Sequence, residues 1–117
     1  MTRSLAGSDM SASAQAVAVD KNGFLCHLAD WNPQVAQELA AQEKITLTEG
    51  HWEILNLARR FYQQYQHSPE MRPLVKFTEQ ELGEKKGNSI YLLSLFPNSP
   101  AKLACKIAGL PRPANCL

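Results

Sequence analysis

The stretch TEGHWEILNLARRFYQQY, residues 48–65, decides the fold. Trp52, Leu55, Ala58 or Arg59, Tyr62 and Tyr65 recur at spacings of three and four, which lines one side of an α-helix. Thr48 stands where a helix cap belongs, since its side-chain oxygen can accept from one of the orphaned first-turn N–H groups. This segment therefore predicts a long amphipathic helix.

Working outward, HSPEM (67–71) predicts a stop and a restart, with Ser68 as cap and Pro69 as the first helical residue. Leu74, Val75, Phe77 and Leu82 supply the apolar face of the next helix, and Gly83 ends it. KKGNSIYLLSLF (85–96) predicts a further helix with apolar positions at Ile90, Leu92, Leu93, Leu95 and Phe96. PNSPAKLACKIAG (97–109) repeats the Ser-Pro start at Ser99–Pro100 and stops at Gly109. On the N-terminal side, Asn32 and Pro33 have the chemistry of a cap and a first helical residue, followed by a Val35, Leu39, Ala40 stripe. AVAVDKNGFLCHL (16–28) alternates around Asn22-Gly23 and predicts a β-hairpin. The expected fold class is mostly α (α+β). A small N-terminal hairpin packs on a compact bundle of about five helices spanning residues 16–109. A disordered leader, 1–15, precedes it and a mobile arm, 110–117, follows.

The 117 residues suit one domain, and a formal net charge of +1 gives no global attraction to nucleic acid or membrane. The charges are unevenly placed: three basic and six acidic side chains in 1–49 against nine basic and five acidic in 50–117. Beyond Glu84 there is no Asp or Glu, while Lys85, Lys86, Lys102, Lys106 and Arg112 remain. No apolar run approaches the ~18 residues a membrane span needs. The N-terminal stretch lacks the apolar segment of an export signal. Three cysteines without export imply a cytoplasmic protein with reduced thiols.

The last residues, CKIAGLPRPANCL (105–117), carry the chemistry. Pro111 and Pro113 forbid a helix there. An extended polyproline-like run advances ~3.1 Å per residue, so Leu110 to Cys116 could reach roughly 19 Å. Cys116 is expected to be the accessible nucleophile. Cys105, near a helix C-terminus whose dipole opposes thiolate formation, is offset by Lys102 and Lys106. Gly109 lets the tail fold back, so it has two expected states: extended, or closed by a Cys105–Cys116 bridge.

Further residues bear on this picture. KGNSIYLLSLFPNSPAKLACKIAGLPRPANCL, LTEGHWEILNLARRFYQQYQHSPEMRPLVK and DKNGFLCHLADW resemble the C-terminal half, central helices and N-terminal hairpin of the DsrC/TusE family of sulfur carriers. The resemblance covers roughly residues 16–117. It implies a helical fold and a mobile arm whose next-to-last cysteine, Cys116 here, carries sulfur as a persulfide. It implies Cys105 as the resolving thiol of the DsrC branch. In the TusE branch that position is typically not cysteine. The implied partners are sulfur donors and acceptors: a TusBCD-like complex and a tRNA 2-thiouridylase, or dissimilatory sulfite reductase. No cofactor and no metal are implied, and the chain acts as a co-substrate of partner enzymes. Lys102, Lys106, Arg112, Arg72, Lys76 and Lys85 are the candidates for holding an anion or steering an acidic partner.

Other sites weigh less. Cys26-His27 fits no zinc spacing, because neighbours on a strand face opposite ways, and Cys26 is expected to face the core. His51 is read as a cap-region side chain rather than a general base. His67 is read as a helix C-terminal residue favouring the dipole. Arg59, Arg60, Arg72, Lys76, Lys85 and Lys86 read as a solvated face, and direct RNA contact is not expected. The alternative function is a helical adaptor or regulator whose tail docks in a partner, with RNA binding through the basic half as its variant.

Overall fold

The computed structural model describes residues 17–114. The expected leader, 1–15, and the last three residues, Cys116 among them, lie outside the described part. Five α-helices follow a short 3-10 turn at Leu28–Asp30: α1 (Pro33–Gln42), α2 (Glu49–Tyr65), α3 (Met71–Leu82), α4 (Ser89–Leu95) and α5 (Pro100–Ile107). No helix among the described residues is long and apolar enough to cross a membrane.

The N-terminal segment differs from the expected hairpin. A single antiparallel bridge, Val19 with Leu25, is its only pairing among the described residues. The turn is held by side-chain chemistry instead. The Asp20 carboxylate accepts from the N–H groups of Asn22 (2.8 Å) and Phe24 (3.0 Å), and Gly23 adopts φ +86°. Phe24 and Leu25 enter the core, and the chain turns into the 3-10 segment before a second pair can form. Phe24 and Leu25 take the two inward places here, and Cys26 after them is exposed, not core-facing as expected.

Local signals set the helix ends. The Asn32 side chain accepts from the Val35 N–H at 2.9 Å and Pro33 opens α1. At α2, His51 Nδ1 accepts the Thr48 backbone N–H at 3.0 Å. That leaves the ring proton on Nε2, which donates to the Leu95 carbonyl at 2.7 Å and ties the start of α2 to the end of α4. His51 is thus a buried capping residue. The core face of α2 is formed by His51, Ile54, Leu55, Leu57, Ala58 and Phe61. Trp52 and Tyr62 flank it and Tyr65 is exposed, so the stripe lies about one position from the sequence reading. The hydroxyl-bearing rings go to the rim, where their polar ends stay wet.

Helix α3 begins at Met71 with Glu70 as cap, two residues later than Ser68–Pro69 predicted. Ser68 and Pro69 are used in tertiary bonds instead. His67 follows the end of α2 and packs edge-on against Phe61 rather than in a last helical turn. Gly83 ends α3 with φ +92°, and the Asn88 side chain caps α4 through the Tyr91 N–H at 2.9 Å. On α4 only Leu92 is buried. Ile90 is 81% exposed and Leu93 42%, so neither is in the core.

Candidate functional site

Helix α5 packs against each of the other four helices, although it is only eight residues long. Ala101, Ala104 and Cys105, with Ala108 after them, are the small members of its buried side, which also holds Pro100, Lys106 and Ile107. Small side chains are what let four neighbours approach one short helix closely. Cys105 is fully buried, and its thiol lies 3.6 Å from the Pro69 carbonyl oxygen, to which it donates.

The C-terminal end of α5 is closed by backbone and side chains together. The Leu110 N–H donates to the Cys105 carbonyl at 2.9 Å, and the Gly109 N–H to that of Lys106 at 3.1 Å. With Gly109 at φ +76°, this is a Schellman turn. The next two carbonyls find distant partners. Trp31 Nε1 donates to Ile107 O at 2.8 Å, and Arg59 Nη1 to Ala108 O at 2.7 Å. The Arg59 guanidinium stacks 4.1 Å from the Trp31 ring centroid. A cation thus sits at the negative end of the helix dipole. Partial burial pulls the Arg59 guanidinium below its ordinary pKa, yet arginine remains charged at any physiological pH. Gly109 lies against the Trp31 side chain, and a Cβ there would come 2.7 Å from its Cγ.

The chain leaves this clamp in a set direction. Leu110 is buried, the Ser68 hydroxyl donates to the Pro111 carbonyl at 2.6 Å, and Pro113 is buried. Residues 110–114 therefore follow the body of the protein, bounding a groove of about 390 Å³ between α3, α4 and α5. Met71, Leu93, Pro100 and Ala101 line it together with Lys102, and Pro113 and Ala114 close one side.

The six sequence-predicted cations do not converge. Lys102 lines the groove. Lys106 is buried and pairs with Glu43, joining α5 to the end of α1, so its charge is already used. Arg112 is exposed on the tail, and Arg72, Lys76 and Lys85 are exposed elsewhere. Among the residues of the nucleic-acid reading, Arg60 pairs with Glu81 (2.7 Å) and Lys86 with Glu53 (2.8 Å), while Arg59 is spent on the clamp. No group of three or more His, Cys, Asp or Glu residues among those described could hold a metal ion.

The family model for DsrC like protein matches residues 11–117. The chain belongs to the DsrC-like family. A relative in Sodalis glossinidius, sulfurtransferase TusE, is 50% identical over 108 residues, covering 92% of this chain and all of that protein. The NMR structure of Allochromatium vinosum DsrC superposes with a TM-score of 0.79 at 50% identity, over 86% of this chain and 90% of that one. The oxidized gamma-subunit of dissimilatory sulfite reductase from Archaeoglobus fulgidus gives 0.75 at 39% identity, over 86% and 92%. The family's helical bundle is thus the observed fold.

The sequence reading that centred on Cys105 and Cys116 passed over the residues that orient the chain after Cys105. Trp31 was passed over. Arg59 was read as one charge on a solvated face and Ser68 as a helix cap. The available hint was the ambiguity at Ala58 or Arg59 in the α2 stripe: the stripe continues to Arg59 because that side chain packs against Trp31.

Proposed function

We propose that this chain is a sulfur-relay carrier in which Cys116 accepts sulfur as a persulfide and Cys105 resolves it. The observation that carries the reading is the family match through residues 11–117, which takes in both thiols. In the loading step the Cys116 thiolate attacks the outer sulfur of a donor persulfide. The donor S–S bond breaks, the donor leaves as a thiolate, and Cys116–S–SH forms without net oxidation. An acceptor thiolate can take the outer sulfur in the same way. Alternatively, the Cys105 thiolate attacks the inner sulfur and hydrosulfide leaves. The two thiols then supply the two electrons and become a disulfide, which a dithiol reductant resets.

Burial of Cys105 beneath Pro69 fits this division of labour. A thiol sealed from solvent reacts poorly with diffusing reagents, so it is suited to sulfur brought by its own chain. The presence of two thiols favours DsrC-like chemistry with a sulfite-reducing partner, and the TusE relatives favour relay from a TusBCD-like complex to a tRNA 2-thiouridylase. The partner enzymes supply the catalytic groups.

Intact-protein mass spectrometry after incubation with inorganic polysulfide tests the reading. A one-sulfur adduct is expected on Cys116, absent in Cys116→Ser and accumulating in Cys105→Ser. An equal adduct in Cys116→Ser, or none in the wild type, rejects it. Full cellular function in Cys116→Ser, with function lost on deleting residues 110–117, would favour the adaptor reading.

A further inference from the structure

Helix α4 buries one side chain and presents two large apolar ones outward. Ile90 and Leu93, three apart, share a face, and Leu93 also forms a wall of the groove from which the tail continues. The core does not need either residue. Met71, Pro100 and Ala101 extend the apolar surface into the groove. The polar residues that line it are Glu70, Asn98, Ser99 and Lys102, and Lys102 takes part in none of the ion pairs among the described residues. The sequence from Lys85 onward has no carboxylate side chain at all.

We propose that the groove, with Ile90 and Leu93, is the surface on which the sulfur-exchange partner docks. That partner presents an apolar side chain beside a carboxylate. The proposal rests on the sulfur-relay reading above. Chain length chooses the occupant. Ala114 lines the groove and Cys116 is two residues further on, a span of at most ~7 Å between Cα atoms. With Leu110 and Pro113 seated, a partner sulfur can meet Cys116 only near this face. A protein large enough to enclose that sulfur must then cover the surface around Ala114, and the groove with Ile90 and Leu93 is the apolar part of it. The arrangement matches an interface centre, apolar and concave, with charge at the rim. Lys102 supplies the attraction for the partner's carboxylate.

The test uses the full chain carrying Ile90→Asp with Leu93→Asp, and separately Lys102→Glu, all at exposed or half-exposed positions. Two sulfur sources are compared: inorganic polysulfide, and a persulfide-charged TusBCD-type complex. Polysulfide loading of Cys116 reports the carrier chemistry alone, so its failure is distinguishable from failure of docking. The expected result is loading from polysulfide within about twofold of wild type in the apolar double variant, with transfer from the protein donor lowered at least about tenfold in both variants and, in Lys102→Glu, lowered more than loading from the anionic polysulfide. Unchanged transfer from the protein donor overturns the proposal. A wild-type dimer in sedimentation that becomes monomeric in the apolar double variant assigns the face to a second copy and also overturns it. Polysulfide loading that accelerates in the variants assigns the groove to the chain's own last residues, with the same consequence.

Discussion

Gly109→Ala is the sharpest test of the clamp that ends α5. Gly109 has φ +76°, where a side chain costs about 1 kcal/mol or somewhat more. The new Cβ would also lie 2.7 Å from Trp31 Cγ and 2.8 Å from Trp31 Cβ, with Cδ1 closer still. The ring cannot easily yield, because its N–H holds the Ile107 carbonyl and the Arg59 guanidinium stacks on its face. Overpacking of this kind costs about 1–3 kcal/mol, for a sum of about 2–4 kcal/mol. At roughly 4 °C per kcal/mol for a domain of this size, Tm should fall by about 8–16 °C. The assay is urea unfolding of wild type, Gly109→Ala, Trp31→Ala and the double variant. Trp31→Ala removes two of the three crowded atoms and leaves Cβ, 2.8 Å from the new methyl group, so part of the overpacking persists. Gly109→Ala should then cost less than in the wild type by a coupling of about 1–2 kcal/mol. If Gly109→Ala costs the same in both backgrounds within about 0.5 kcal/mol, the ring does not confine this turn and the reasoning fails.

Three further outcomes are expected. Arg59→Ala strands the buried Ala108 carbonyl and should lower stability by about 2–3 kcal/mol in urea unfolding, with Arg59→Lys recovering part, since an ammonium keeps the charge but not the planar stack. Glu43→Gln leaves the Lys106 ammonium buried without its partner and should cost about 2–3 kcal/mol, whereas Glu43→Gln with Lys106→Met should recover most of it. The Lys86 ammonium is held above its ordinary pKa, chiefly by its hydrogen bond to Glu53. A raised folded-state value contributes stability that is fully present below the unfolded value of about 10.4 and lost as pH rises through the folded one. The small stability difference between wild type and Glu53→Gln should therefore be constant from neutral pH to about 9.5 and shrink above about 10.4, as thermal unfolding at several pH values will show.

What the sequence made legible is what short-range chemistry decides. Asn32–Pro33, Thr48, Gly83 and Gly109 each mark a helix end, because a cap or a left-handed residue acts on groups within a few positions of itself. Ser68–Pro69 carries the same local signature and fails as a start. Its hydroxyl serves Pro111, 43 residues away, and the Pro69 carbonyl serves Cys105, 36 residues away. The hairpin fails for a related reason. Alternation predicts which way side chains point, but a ladder needs a second strand that stays in register, and the chain after Leu25 turns away. On α4, helical spacing identifies Ile90 and Leu93 as apolar without saying that the core is already filled by Leu92 and Phe96.

The candidate site divides along the same line. Both thiols are visible as residue types, whereas the residues that aim the chain between them are separated from it by 76 positions at Trp31 and 49 at Arg59. Nothing local marks such contacts, because they exist only once α5 has been packed among four neighbours. That packing explains why a short helix with Ala101, Ala104 and Cys105 on its buried side serves the role. Bulky side chains would hold the neighbouring helices apart and leave the Ile107 and Ala108 carbonyls out of reach of their distant donors. With small ones the carbonyls meet Trp31 and Arg59, Gly109 turns beneath the indole, and Pro111 falls within reach of Ser68. The direction in which the chain heads toward Cys116 is therefore a consequence of core packing around Cys105. A substitution in the middle of the bundle that lifts α5 away from these donors must redirect the tail, even though it touches neither thiol.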